Sequence, residues 1–109
     1  MTIRKDRLAD QIRDLLAGSF LGGKMNDPRL EEVTITAVKL SPDMQVASVY
    51  YRVYNDARKA DAFTGLRQAA GFLKRSLRSL EIRRLPELRF FYDESLERAA
   101  RIETLLGQI

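Results

Sequence analysis

The sequence predicts a two-layer α+β fold in which helices cover one face of a three-stranded sheet. Alternating apolar and polar residues mark three short strands, at residues 33–41, 45–54 and 87–93. Apolar residues at helical spacing mark helical stretches at residues 3–21, 56–80 and 95–109. At 109 residues, the chain is expected to form one domain with one core, residues 1–109.

The first predicted helix has one apolar face and a basic first turn. The apolar face holds Leu8, Ile12, Leu15, Leu16 and Phe20. Gly22 and Gly23 are expected to end the helix, because glycine adopts the left-handed conformation at a helix C-terminus without steric cost. The first turn carries Arg4, Lys5 and Arg7. Positive charge is slightly unfavourable at a helix N-terminus, so this cluster hints at a partner.

A β-hairpin is expected next, after a turn at residues 27–29. Val33, Ile35 and Ala37 should share the core face of the first strand. The sequence Ser-Pro-Asp-Met at residues 41–44 predicts the connecting turn. On the second strand, the residues expected to face the core are Ala47, Val49, Tyr51 and Val53, and those expected to face outward are Ser48, Tyr50, Arg52 and Tyr54.

The stretch 56–80, which Asp56 can cap, combines an apolar face with a basic one. The apolar positions are Phe63, Leu66, Ala70, Leu73, Leu77 and Leu80, and the basic stripe holds Arg67, Gly71, Lys74, Arg75 and Arg78. Glycine inside a helix costs about 1 kcal/mol relative to alanine, so Gly71 indicates a kink, a break or a close approach. A kinked helix pair with a basic notch at Gly71 would let a phosphate backbone approach closely.

The third strand, with Leu88, Phe90 and Tyr92 on one face, should lie parallel to the second if the two are neighbours, because a helical crossover joins them. The last helix carries Leu96, Ala99, Ile102, Leu105, Leu106 and Ile109 at roughly helical spacing.

Composition favours a binding protein over an enzyme. With no histidine and no cysteine, the chain cannot form zinc sites of sulfur or imidazole, or Ser-His and Cys-His nucleophiles. Asp93, Glu94 and Glu97 could hold a metal, but acidic residues at a helix start are already favoured by the helix dipole. No apolar run approaches the length of a membrane span, so we expect no membrane partner, and the absence of cysteine is compatible with the expected cytoplasmic location.

Positive charge is concentrated in the second half of the chain. Residues 57–89 carry nine basic and three acidic side chains, a net charge of +6, whereas the whole chain carries +4. A basic segment on a mildly acidic body suggests a polyanion-binding face, although a solvated surface helix is the alternative. Exposed Tyr50 and Tyr54 could likewise stack on bases, but tyrosine is also common in strands.

Four motifs, together with the order of elements, resemble the bacterial ribosome-binding factor A family and its type II KH arrangement. They are residues 27–30 (Asp-Pro-Arg-Leu), 33–43 (Val-Thr-Ile-Thr-Ala-Val-Lys-Leu-Ser-Pro-Asp), 69–73 (Ala-Ala-Gly-Phe-Leu) and 86–95 (Pro-Glu-Leu-Arg-Phe-Phe-Tyr-Asp-Glu-Ser). The resemblance runs from about residue 4 to residue 106. It implies an Ala-x-Gly kink, at Ala69, Ala70 and Gly71, in place of the GXXG loop of other KH domains.

The resemblance also implies a function. Members of this family bind free or immature 30S subunits, contact 16S ribosomal RNA near its 5′-terminal helix and the decoding region, and support small-subunit maturation and cold adaptation. A ribosome-assembly GTPase promotes their release, and a monomer is implied. The family has no catalytic residues, so we expect no cofactor, no metal and no small-molecule substrate.

The predicted RNA contacts are therefore the basic side chains near Gly71 and two further groups. In order of expectation they are Arg67, Lys74, Arg75 and Arg78, then Arg4, Lys5 and Arg7, then Arg83 and Arg84. The alternative function is a protein–protein adapter or ligand-sensing α+β domain without RNA binding. In that case Tyr50, Tyr54 and Phe91 would anchor an interface.

Overall fold

A computed structural model describes residues 2–19 and 27–95. The helices and strands, in chain order, are α1 (Thr2–Ser19), β1 (Val33–Leu40), β2 (Val46–Val53), α2 (Lys59–Ser76) and β3 (Glu87–Tyr92). Short 3-10 turns occur at Pro28–Leu30, Asp56–Arg58 and Leu77–Leu80. These elements confirm the predicted α+β class and are consistent with the type II KH order. Phe20, Gly22, Gly23 and the predicted last helix lie outside the described residues, apart from Ser95.

Helix α1 packs its apolar face onto the sheet. Ile12 and Leu16 are fully buried, and Leu8 and Leu15 pack partly buried against the same core, as their spacing predicts. No helix in the described ranges is long and apolar enough to cross a membrane.

Strands β1 and β2 form the predicted antiparallel hairpin. Its turn is closed by two backbone hydrogen bonds, from Ser41 N to Val46 O at 2.9 Å and from Met44 N to Ser41 O at 2.8 Å. Met44 takes a φ of 60°, in the left-handed region. The inward residues of β2 are those predicted, and Ala47, Val49, Tyr51 and Val53 are all buried.

A β-bulge at Thr36 corrects the predicted face of β1. Ile35 pairs with Tyr51, whereas Ala37 pairs with Tyr50, so Thr36 is an extra residue in the strand. One extra residue reverses the alternation. Val33 and Ile35 are therefore buried as predicted, but Ala37 is not, and the buried residues beyond the bulge are Val38 and Leu40.

Strand β3 pairs parallel to β2, from Val46↔Glu87 to Tyr51↔Tyr92, which confirms the predicted parallel pairing. The sheet order is β1-β2-β3, so β3 is an edge strand. Leu88 and Phe90 are buried on the side of the sheet that carries the helices.

Helix α2 continues through Gly71 without interruption, so the predicted kinked helix pair is one α-helix followed by a 3-10 turn. The α-helix spans Lys59–Ser76 and passes directly into the 3-10 turn Leu77–Leu80. Leu66, Leu73 and Leu77 are fully buried on both sides of Gly71. The free energy gained by burying these leucine side chains exceeds the helix stability lost at one glycine, so the helix does not break.

Two other details of this segment differ from the prediction. Asn55, not Asp56, caps the 3-10 turn that leads into α2, because its Oδ1 accepts a hydrogen bond from Ala57 N at 3.0 Å, and α2 itself follows Arg58 with no side-chain cap. Phe63 is 38% exposed, whereas neighbouring Ala62 is fully buried. Small residues face the core here because the turn Pro28–Leu30 packs closely against this part of α2.

Candidate nucleic-acid interface

The predicted basic stripe of α2 faces the edge strand of the sheet across a groove. This α2–β3 groove has a volume of about 500 Å³. Its lining residues are Phe63, Arg67, Ala70, Gly71 and Lys74 from α2, and Glu87, Leu88, Arg89, Phe90 and Phe91 from β3. The packing of α2 on the sheet thus turns a stripe of the helix into one wall of a concave surface.

Gly71 lies in the open part of the α2–β3 groove. A Cβ atom placed there would meet only Arg75 Nη1, at 3.5 Å, which is ordinary van der Waals contact. Packing within the described structure therefore does not require a glycine at this position. The side-chain-free surface at Gly71 does let another molecule come close to the helix backbone.

Arg67 and Lys74 are the predicted basic residues that line the groove. The Arg67 guanidinium lies 5.8 Å from the centre of the Phe63 ring, a cation–π contact. Arg75 is exposed beside Gly71, and Arg78 is exposed in the turn that follows. Ion pairs among the described residues involve none of these four cations. Their charge is therefore available to a ligand.

The predicted N-terminal cluster lies at a different place on the molecule. Arg4, Lys5, Arg7 and Arg83 line a concavity of about 750 Å³, which we call the α1 concavity. Its other lining residues are Leu8, Gln11, Pro42, Met44, Leu80, Glu81 and Ile82. It shares no lining residue with the α2–β3 groove. Arg84 is exposed but lines neither surface, so the predicted basic residues form two separate clusters.

The predicted exposed aromatic residues do not form one surface either. Tyr54 is 95% exposed beyond the end of β2. Tyr50 is half-buried and lies against Phe91, with ring centroids 5.7 Å apart. Of these three predicted aromatic residues, Tyr50 and Phe91 are in contact and Tyr54 stands apart from them.

Asp93, which the sequence offered as a metal ligand, uses both carboxylate oxygens in hydrogen bonds within the protein. Its Oδ2 accepts from Thr36 Oγ1 at 2.6 Å, and its Oδ1 accepts from Ser95 N at 2.9 Å. The Thr36 hydroxyl, followed by Ser95, lowers the pKa of Asp93 from 3.8 to about 2. Within residues 2–19 and 27–95, no three acidic residues are grouped so as to hold a metal ion. Glu97 lies outside that part of the chain.

Sequence reasoning missed the second wall of the groove. Arg89 and Phe91 alternate outward on β3, and this pattern alone does not show that the edge of β3 lies beside α2. The juxtaposition of the two elements arises only from their packing. Phe63 was missed because it was assigned to the core.

A family model described as ribosome-binding factor A matches residues 4–106 of this chain. A ribosome-binding factor A from Desulfatibacillum aliphaticivorans is 42% identical over 108 residues, covering 97% of this chain and 87% of that relative. One from Anaeromyxobacter sp. strain K is 45% identical over 108 residues, covering 96% and 78%.

Two structures of a Thermus thermophilus relative are also similar. The crystal structure of ribosome-binding factor A from Thermus thermophilus superposes with a TM-score of 0.72 at 34% identity, covering 81% of this chain and 94% of that one. A homology model of the Thermus protein, fitted into a cryo-electron microscopy map of its complex with 30S, gives a TM-score of 0.69 at 33% identity, with coverage of 84% and 97%. Sequence match and shared architecture agree, and the chain belongs to the ribosome-binding factor A family.

Proposed function

We propose that this protein is a non-enzymatic ribosome assembly factor. It binds free or immature 30S subunits, contacts 16S ribosomal RNA near the 5′-terminal helix, and promotes rRNA processing and small-subunit maturation, including in the cold. It acts in the cytoplasm as a monomer, and a ribosome-assembly GTPase promotes its release. Family membership supports this proposal, as does the Thermus relative that was fitted into a 30S complex.

The observation that carries the proposal is the α2–β3 groove, where cations outside any ion pair of the described residues surround an open glycine. A helix surface without a side chain lets a phosphate reach the backbone, while Arg67 and Lys74 neutralise its charge from either side. Contacts of this kind recognise the shape and backbone of folded RNA and do not depend on base sequence.

The proposed contacts have an order. Arg67 and Lys74 come first because they line the groove, and Arg75 and Arg78 extend the same basic surface along the helix. The α1 concavity offers a second contact with the RNA backbone. Its members are Arg4, Lys5, Arg7 and Arg83, and Arg84 flanks it.

Charge reversal in the groove tests the proposal. We expect Lys74→Glu and Arg67→Glu each to weaken binding to purified 30S subunits, measured by co-sedimentation at several salt concentrations. Arg13→Glu is the matched control, because it makes the same charge change on α1, outside both basic clusters. With about four phosphates neutralised, the slope of log affinity against log salt should be about −3 to −4, and each reversal should lower its magnitude by about 1.

Two results would contradict the proposal. One is binding by both groove variants that equals that of the Arg13→Glu control. The other is a salt slope near zero for the unaltered protein, which would favour the alternative of a protein–protein adapter or ligand-sensing domain.

A further inference from the structure

The outer sheet face, opposite the helices, carries a small group of aromatic and basic side chains. In one row, Lys39, Ser48 and Arg89 are neighbours across the three strands. In the next row, Tyr50 is flanked by Ala37 and Phe91. The bulge at Thr36 is what turns Lys39 and Ala37 to this face, since a regular β1 would turn them toward the core.

Tyr50 and Phe91 form a continuous ring surface on neighbouring strands. Their ring centroids are 5.7 Å apart and their planes are inclined by 32°. Phe91 is 45% exposed, although burying a phenylalanine side chain is worth about 1.5–3 kcal/mol. The exposed parts of these two tilted rings offer a stacking surface for one or two nucleobases, whose π-faces stack on aromatic rings whatever their identity.

Cations border the ring surface. Lys39 Nζ lies 5.6 Å from the centre of the Tyr50 ring, and Arg89 lies in the adjacent row. Glu87 Oε2 is 3.6 Å from Arg89 Nη2, but both side chains are more than half exposed, so the pair is weak and the Arg89 guanidinium can exchange it for a phosphate. Rings flanked by cations suit bases joined by phosphates. Among the described residues of this face, an apolar protein partner would find two large rings, Tyr50 and Phe91, set among mostly polar side chains.

The outer sheet face is continuous with the α2–β3 groove. Arg89 and Phe91 belong to both, because they project from the edge strand that separates them. A strand of RNA leaving the groove reaches the rings by passing around β3, without crossing any other element of the sheet.

We propose that the outer sheet face is a stacking platform for unpaired bases of single-stranded RNA, with Tyr50 and Phe91 as the stacking rings and Lys39 and Arg89 as phosphate contacts. The inference rests on the proposed function, since the groove supplies the adjoining backbone contact. It adds a recognition mode: the protein holds folded RNA by its phosphates and one or two flipped-out or single-stranded bases by their faces.

The test compares Phe91→Leu with Phe72→Leu. Phe72 lies on α2, is 46% exposed and lines neither the groove nor the outer sheet face, so it is a control of equal chemistry and exposure. Binding of a fluorescent oligouridylate of about ten nucleotides is followed by anisotropy. Loss of one stacked base should weaken binding of Phe91→Leu by about fivefold to a hundredfold. Phe72→Leu should bind as the unaltered protein does, and Phe91→Tyr should retain affinity because it keeps the ring.

An oligonucleotide of the same length that lacks bases separates stacking from indirect effects. Removing the bases should weaken binding to the unaltered protein much more than binding to Phe91→Leu. An equal effect on both would overturn the platform. Unchanged oligouridylate binding by a folded Phe91→Leu variant would also overturn the platform. If that variant lost 30S association while its oligouridylate binding stayed unchanged, the occupant of this face would be a protein.

The same assay distinguishes this inference from the proposed function. Tyr50 is the platform ring that does not line the groove, so Tyr50→Leu is the variant to compare. If Lys74→Glu abolishes oligouridylate binding and Tyr50→Leu leaves it unchanged, the groove stands and the platform is refuted. If Tyr50→Leu weakens binding and Lys74→Glu does not, the platform stands and the groove contact is refuted.

Discussion

Alanine at Gly65 and at Gly71 should change stability in opposite directions, although both glycines lie in α2. At Gly71 the new Cβ meets only Arg75 Nη1 at 3.5 Å, so alanine adds helix propensity without a clash. We expect Gly71→Ala to raise the free energy of unfolding by about 0.4–1 kcal/mol. For a chain of this size that corresponds to a rise in melting temperature of roughly 2–8 °C.

At Gly65 the same substitution is crowded. The Cβ would lie 3.1 Å from Leu30 Cδ2 and 3.3 Å from Arg29 Cβ. The leucine methyl can move, but the Arg29 side chain is held in place. Its Nη2 donates hydrogen bonds to Asp27 Oδ2 at 2.6 Å and to Gln68 Oε1 at 2.7 Å. Overpacking of this kind costs about 1–3 kcal/mol, which offsets the gain in propensity and leaves a net loss of up to about 2 kcal/mol.

Thermal and urea denaturation followed by circular dichroism measure both changes. The reasoning would be refuted if Gly71→Ala destabilised the protein, because the helix would then need a conformation at this position that only glycine tolerates. A stabilised Gly65→Ala would show that the turn yields more easily than its contacts suggest.

Gly71→Leu should remain folded yet bind 30S subunits more weakly, because its side chain fills the groove.

Three further predictions concern other parts of the molecule. Asp93 has a lowered pKa in the folded state, so its stabilisation is fully present above about pH 4 and is lost as the pH falls toward about 2. The difference in unfolding free energy between the unaltered protein and Asp93→Asn should shrink over that range, and a constant difference would contradict this role. Asn55→Ala should lower the free energy of unfolding, measured in urea, by about 1 kcal/mol, because the 3-10 turn before α2 loses its cap. An unchanged free energy of unfolding would mean that this cap does not stabilise the protein. Lys74→Glu and Arg83→Glu should weaken 30S binding additively if the groove and the α1 concavity contact separate phosphates, and a strongly non-additive double variant would mean a shared contact.

Local patterns were sufficient to predict the elements and their pairing. The alternation in β2 gave its buried face correctly, because every second residue there is apolar or aromatic and no bulge intervenes. The parallel pairing of β2 with β3 followed from the crossover between them.

Features that depend on contacts distant in sequence could not be predicted in this way. The bulge at Thr36 is held by Asp93, 57 residues later, and no local pattern reveals that hydrogen bond. Gly65 was overlooked in favour of Gly71, because only the packed turn near Leu30 shows which glycine the fold requires. The groove was half predicted, since its α2 wall follows from periodicity and its β3 wall follows from tertiary packing.

The edge position of β3 links ligand binding to local stability. The hairpin of β1 and β2 has its own turn and can pair before the rest of the chain arrives, whereas β3 can join only after α2 has crossed over. Separation of this one strand from β2 would remove a wall of the groove and one ring of the outer sheet face together. A bound ligand that touches both would therefore slow amide hydrogen exchange in β3 more than in β1, since it binds only while β3 is docked.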